Sequence, residues 1–358
     1  MRVIKRIAVA ILLASVCAWG QWTPQQSNTT ASLRGLSVVD ANVVWASGTG
    51  GTFLRTIDGG ATWQKGSVPG AEKVDFRDVH GVDAKTAYLL SIGPGNSSRI
   101  YKTNDAGASW TQQYTEQNPK GFLDCMAFWD STHGIALGDS VDGKFELLTT
   151  SDGTTWAPLE SKSVPEAHEG EGGFAASGTC IAVLSSGKGK REVWQAWFVT
   201  SKYARVIHTV DSGKTWTAAE TPLAAGDDAA GIFSIAVVDR DRLTIVGGNY
   251  KAPSGADKTA AVSQDGGKTW TLSRKPPAGF RSGVAIVPDT PGPTAIAVGT
   301  TGIDYSLDHG GSWTHMDDTN LNSVAFSDAH HGWAVGGKGV ILKFEGTSPG
   351  GTAPSLKK

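Results

Sequence analysis

What this chain lacks narrows it before any motif is read. Stretches rich in lysine and glutamate at helical spacing are few, so helices are not expected to carry the core. Concentrated positive charge is missing too: the formal net charge is −2, with 34 acidic residues, and three of the 32 basic ones, Arg2, Lys5 and Arg6, crowd the amino terminus. A nucleic-acid partner is therefore disfavoured, because phosphate binding draws on clustered lysine and arginine. The apolar run Ile7 to Val16 falls short of the roughly 20 residues that a membrane-spanning helix needs. There is no His-Glu-x-x-His and no glycine-rich dinucleotide turn opening a helix, and the Gly-x-Ser-x-Gly at 346–350 falls in the Gly-, Pro- and Ser-rich tail. Hydrolase and oxidoreductase chemistry thus has no motif to stand on, and no cofactor or metal is called for.

What is present points one way. Forty-six glycines and 13 tryptophans in 358 residues suit many short strands joined by tight turns, an all-β chain long enough to bury a large core. Residues 1–20 combine a basic start, a short apolar run and the small residues Ala18 and Gly20, which reads as a secretory signal cleaved after either. Cys17 raises a lipoprotein anchor, but Ala14-Ser15-Val16 before it lacks the usual leucine and final small residue. Export is the preferred reading, to the periplasm or the exterior, free or membrane-associated. Cys125 and Cys180 remain after processing. Both lie in apolar strand-like runs, so a bridge is conceivable in an oxidising compartment, while buried free thiols are the preferred expectation.

The dominant feature is a repeat. Six segments carry Ser/Thr-x-Asp-x-Gly-x-Ser/Thr-Trp or a close variant, centred on Asp58, Asp105, Asp152, Asp211, Asp265 and Asp308. The third, Asp152-Gly153-Thr154-Thr155-Trp156, is one residue short. Their spacings of 47, 47, 59, 54 and 43 residues fit one four-stranded blade per repeat. Aspartate accepts from the amides of its own turn, glycine permits positive φ and the hydroxyl adds a cap, so these boxes are read as structural turns rather than metal or sugar sites. Upstream of each runs the same programme of apolar strands, as in Leu36–Asp40, Val43–Gly48 and Phe53–Thr56. After the sixth box it runs once more, through Val324–Asp328, Gly332–Gly336 and Val340–Phe344, with no box following. Gln21-Trp22-Thr23-Pro24-Gln25 looks like a strand that follows a box, yet nothing precedes it. The two halves complete one another, which predicts a seven-bladed β-propeller over 21–345, its ring closed by the amino-terminal strand. The tail 346–358 is expected to be disordered.

Six Asp boxes, Gly-Trp-Ala-Val-Gly at 332–336 and a borrowed closing strand together resemble the photosystem II stability and assembly factor family, within the wider group of Asp-box propellers that includes sialidases. The resemblance spans nearly all of 21–345. It implies a non-catalytic chaperone, expected to be a monomer, that holds a membrane-protein precursor on a basic patch.

The positions where blades depart from the repeat are the candidate site. Strand entries supply Arg34, Arg77, Asp124, Arg281 and Asn322, with the register at Arg281 open by one residue. Loops between second and third strands, expected on the same face, add Asp139, Asp142, Arg99, Tyr203, Tyr250 and Lys251. An acidic connection, Glu166-Ala-His-Glu169-Gly-Glu171, should overhang the same mouth. The preferred expectation is a protein or peptide partner bound there by Arg34, Arg77, Asp124, Asp139, Glu171, Tyr250, Arg281 and Asn322. The alternative is a sialidase-like glycosidase or glycan-binding propeller: Arg34, Arg77 and Arg281 on a carboxylate, Tyr250 with Glu169 or Glu171 as nucleophile pair, Asp124 or Asp139 as acid. Phe76-Arg77-Asp78-Val79 lacks the Phe-Arg-Ile-Pro that a sialidase shows.

Overall fold

The computed structural model describes residues 21–346 apart from 160, 162 and 187–192. The expected signal at 1–20, with Cys17, and the tail beyond Gly346 lie outside the described residues. Within them the chain forms seven four-stranded antiparallel sheets. Blade 1 runs Leu33–Val38, Val44–Gly48, Thr52–Thr56 and Gln64–Ser67. Blades 2 to 6 repeat that plan from Asp75–Gly81, Leu123–Phe128, Ile181–Ser186, Ala230–Val237 and Gly283–Ile286 onward. Blade 7 takes Ser323–Phe326, Gly332–Val335 and Ile341–Glu345, and its fourth strand is Gln21–Gln25, with Trp22 opposite Phe344 and Gln25 opposite Ile341. The ring therefore closes as the sequence predicts, the amino-terminal strand completing blade 7 to four strands.

Each box holds its turn by the mechanism its residue types dictate. Thr56 Oγ1 donates to Asp58 Oδ1 at 2.7 Å and accepts from the Gly60 amide at 2.9 Å, while Asp58 accepts the Thr62 amide and hydroxyl at 2.9 and 2.6 Å. The bonds from Thr62 push the Asp58 carboxyl down to about 2, since each stabilises the ionised form. In the shortened third box the Gly153 amide reaches Thr150 Oγ1 at 3.0 Å one residue earlier, and its carbonyl takes the Tyr88 hydroxyl of the preceding blade at 3.0 Å. Between blades the packing is aromatic: Trp45, Trp197 and Trp333 are fully buried, and their indole N–H groups find Asp83 O, Gly266 O and Gln25 Oε1.

Cys125 and Cys180 are joined in a disulfide, Cα atoms 6.1 Å apart, which corrects the expectation of free thiols. The reason is their placement: Cys125 lies in the inner strand of blade 3 and Cys180 immediately precedes that of blade 4, so the ring sets them side by side in one apolar cluster.

Candidate functional site

The first strands of blades 1, 2, 3 and 5 share one irregularity. Their pairing with the second strand slips between Leu33 and Gly35, Phe76 and Asp78, Leu123 and Cys125, and Ile232 and Ser234. The residue skipped in each case is Arg34, Arg77, Asp124 or Phe233. A β-bulge leaves its extra residue unpaired and re-aims the side chain, and here it turns four unlike residues onto the same rim. All four line one cavity of about 470 Å³, joined by Asp139, Tyr250 and Asn322. Six of the residues expected at the mouth thus meet: Arg34, Arg77, Asp124, Asp139, Tyr250 and Asn322.

Arg281 does not, and the bulge shows why. The residue before each bulge, Leu33, Phe76, Leu123 or Ile232, is fully buried, and Arg281 occupies that position in blade 6, where Ser282 lines the cavity instead. The register is off by one. Arg281, itself 0% exposed, is held by Asp304, with Nε on Oδ2 at 2.6 Å and a further bond to Thr301 Oγ1 at 2.7 Å. The three arginines therefore do not gather on one carboxylate. Glu171 also departs from expectation. It is 1% exposed and turned away from the mouth, held by the Arg205 guanidinium, whose Nε reaches Oε1 at 2.8 Å, and by the His168 amide at 2.9 Å. The Tyr250–Glu171 pair of the glycosidase reading is consequently not formed. Of the acidic connection, Glu166 gives its carbonyl to Arg205 and Glu169 its carbonyl to the Tyr203 hydroxyl. The loop bridges blades 3 and 4, with the Ala167 amide on Gly143 O at 2.9 Å and Ser140 Oγ donating to Glu171 O at 2.6 Å, and its residues do not line the cavity.

The floor of the cavity was not legible as such. The run Gly172-Gly173-Phe174-Ala175-Ala176-Ser177-Gly178-Thr179 hydrogen-bonds to all seven blades. Ala176 O accepts from Arg34 NH1 at 3.1 Å, Ala175 O from Arg77 NH1 at 2.8 Å, and the Gly173 amide donates to Asp139 Oδ1 at 3.1 Å. Gly172 O accepts from the Ser201 amide at 2.8 Å, Thr179 shares a bond with Ser234 at 2.6 Å, Ser177 Oγ donates to Ser282 O at 2.7 Å, and Ser177 O accepts from Ser323 Oγ at 3.1 Å. Only a segment on the ring axis can do this, so the connection between blades 3 and 4 stops the central channel. Gly172 and Gly173 are needed for closeness rather than for φ, a Cβ on Gly173 standing 2.7 Å from Asp124 Oδ2, whereas Gly178 also takes a positive φ of 75°. Phe174 stacks on Phe233 with ring centroids 3.7 Å apart, and Tyr250 and Phe280 stand edge-on to Phe233.

The cavity has three chemically distinct walls. Blades 1 and 2 give the arginines, of which Arg77 is also tied to Asp75 at 2.6 Å. Burial, with Arg77 adding repulsion, draws the Arg34 guanidinium down to about 10, still a cation at neutral pH. Blade 3 gives Asp124 and Asp139; blade 5 and the approach to blade 6 give Phe233, Tyr250 and Phe280. Burial pushes the Asp139 carboxyl up to about 6 and raises Asp124 as well, the Asp139 charge adding to the latter. Among the described residues no group of three or more His, Cys, Asp or Glu side chains is arranged to hold a metal ion. Asn322 also ties blades 7 and 1 by donating to Leu33 O at 2.8 Å.

Comparison with known proteins agrees with this architecture. The BNR/Asp-box repeat family matches residues 261–272, the fifth box. The chain is 26% identical over 324 residues to the photosystem II assembly protein Ycf48 of Synechococcus sp. (strain JA-2-3B'a(2-13)), covering 77% of this chain and 86% of that one. Among solved structures it resembles YCF48 bound to D1 peptide (TM-score 0.61, 17% identity, 90% of this chain and 96% of that one). It also resembles YCF48 from Cyanidioschyzon merolae (TM-score 0.60, 19% identity, 90% and 98%). The WD40 propeller domain of Doa1 superposes as well, at TM-score 0.61 and 12% identity over 91% of this chain and 97% of that one. At such identities these superpositions speak for the fold alone.

Proposed function

Taking as premise that this chain is a photosystem II assembly factor-like Asp-box β-propeller, we propose that it is a non-catalytic scaffold that binds a protein or peptide segment at the cavity on its axis, as an assembly or stability factor does. One observation carries the reading. Arg34 and Arg77 already hold peptide carbonyls, those of Ala176 and Ala175 in the axial turn, so the mouth is built from side chains suited to polypeptide backbone. A solved relative with this fold is described as bound to D1 peptide, and a membrane-protein precursor is the finer form of the same proposal. Because the axial segment blocks the channel, the partner lies across the floor rather than threading through. Export, by the signal at 1–20, and a monomeric state are part of the proposal. The glycosidase alternative loses support from the separation of Arg281 from Arg34 and Arg77 and from the engagement of Glu171 by Arg205.

The test is a photo-crosslinking residue placed at Tyr250, which is 47% exposed at the mouth, and, as a control, at Ile57, 49% exposed on an Asp-box turn. In the native host, adducts to a defined polypeptide segment should form at position 250 and not at 57. Arg34→Glu/Arg77→Glu should abolish them while circular dichroism stays unchanged. Adducts that survive the double variant, or turnover of sialosides or other glycosides that Arg77→Ala abolishes, would overturn the scaffold reading.

A further inference from the structure

Both cationic side chains that line the cavity are committed: Arg77 is on Asp75 and Ala175 O, and Arg34 on Ala176 O. The two carboxylates of the blade 3 wall are not. Among the described residues neither Asp124 nor Asp139 forms an ion pair; Asp139 receives one hydrogen bond, from the Gly173 amide. Asp124 is 1% exposed and lines the cavity; the neighbouring Gly173 and Ala175 amides favour its ionised form, yet its Oδ2 completes no hydrogen bond. A buried acceptor left in this state is costly, and two neighbouring carboxylates without a counter-charge are more so. The fold nevertheless places them side by side against bare glycine backbone, where a side chain at 172 or 173 would collide with Asp139 or Asp124. Phe174, adjacent to Gly173, brings the stacked face of the Phe174–Phe233 pair to the same space, with Tyr250 across it.

We infer that the blade 3 wall is the seat of a cationic side chain, the ammonium or guanidinium end of a lysine or arginine of the bound polypeptide, held by Asp124 and Asp139 and flanked by Phe174 and Tyr250. The inference rests on the peptide-binding reading and names the chemistry of the residue that the partner inserts. An organic cation fits where a metal ion does not: a hard divalent cation gathers six to eight oxygens, and this wall offers two carboxylates. A long alkyl stem crosses the apolar part of the cavity while its charged end meets the acids, the division that lysine and arginine make wherever they are half-buried. Burial raises both carboxyls when the seat is empty, and an arriving cation offsets that by favouring their ionised forms. With the arginines of blades 1 and 2 on one side and the two acids on the other, the cavity is polarised from blades 1 and 2 toward blade 3.

The experiment uses n-butylammonium and n-butylguanidinium as side-chain probes and n-butanol as the neutral control, titrated into the full chain while the Gly173 and Phe174 amide resonances are followed. At least one cation should shift both amides saturably, with an apparent affinity at least tenfold above that of butanol. The excess should vanish in Asp124→Asn/Asp139→Asn and fall in the single Asp139→Asn variant, whose half-buried position tolerates the change. If cations and butanol act alike, or if the cation shifts persist in Asp124→Asn/Asp139→Asn, the inference is overturned. Should that happen while the Tyr250 crosslinks still form and still need Arg34 and Arg77, the cation seat alone fails and the peptide-binding reading stands. Loss of the crosslinks themselves strikes the reading beneath it.

Discussion

Gln25 accepts the indole N–H of Trp63 on its side-chain oxygen at 2.9 Å, binding the closing strand to the blade that follows it. The same oxygen takes the indole of Trp333 at 3.1 Å, so one acceptor latches blade 7 to blade 1. Both indoles are buried, at 5% and 0% exposure, and have no water to turn to. Gln25→Leu keeps the volume and removes the acceptor, orphaning two donors at about 1–3 kcal/mol each. Urea unfolding should show a loss of roughly 2–6 kcal/mol with an unchanged slope. An unchanged midpoint would mean that closure rests on the strand pairing alone.

The Cys125–Cys180 bridge closes a loop with a sequence separation of 55, and that loop contains the axial segment. Loop-closure entropy for such a length gives about 4 kcal/mol of stabilisation, measured values more often falling at 2–4. Cys125→Ala/Cys180→Ala should lower stability by about that amount, and neither Cys125 nor Cys180 should react with an alkylating reagent until the protein is reduced. Rapid alkylation of either cysteine in the unreduced, folded chain at 125 or 180 would contradict the bridge.

How much of this could be read from the sequence depends on range. The boxes are legible because their bonds span two to four residues: Thr56, Asp58, Gly60 and Thr62 form a complete hydrogen-bonded set within one turn. The strand-entry residues Arg34, Arg77 and Asp124 are legible because the repeat fixes their position. Arg281 fails by a single residue, since only a bulge separates the buried place before it from the rim place on it, and an arginine is as readable in one as in the other. The axial segment is hidden for the opposite reason. Its bonds to Arg77 and Arg34 span 98 and 142 positions, and its small residues carry no periodicity. The available clue was composition alone, since seven of the eight residues at 172–179 are Gly, Ala, Ser or Thr, the sizes that let backbone approach side chains closely.

Stability should respond to pH through Asp78, which is 5% exposed beneath the axial segment, with Oδ2 on the Met126 amide at 2.7 Å. Burial pushes its carboxyl up to about 8, above the ordinary value near 4 that the unfolded chain presents. Between these limits the folded state holds a proton that the unfolded state has released, so stability falls as pH rises from about 4 to about 8. The contribution of one group cannot exceed about 1.4 kcal/mol per pH unit. Asp78→Asn keeps an acceptor for Met126 and removes the titration. Thermal midpoints measured from pH 5 to 8 should decline less steeply in Asp78→Asn than in the parent, leaving the share due to the other raised carboxyls, Asp124, Asp139 and Glu146. Parallel profiles would remove Asp78 from the account.

Gly172 tests the axial segment most directly. A Cβ there would lie 1.7 Å from Asp139 Oδ1, a distance that no rotamer adjustment of the backbone-held segment absorbs, so the carboxylate has to move. Its φ does not favour glycine, which separates crowding from backbone strain. Gly172→Ala should cost about 1–3 kcal/mol, the range for overpacking a well-fitted site. If the cause is the collision with Asp139, then Asp139→Ala, which empties that space, should make the second substitution cheaper. The double variant is expected to be more stable than the sum of the two single losses allows, by at least ~0.5 kcal/mol of coupling. Strict additivity would place the cost of Gly172→Ala elsewhere, in the contact with Ser201, whose amide donates to the Gly172 carbonyl.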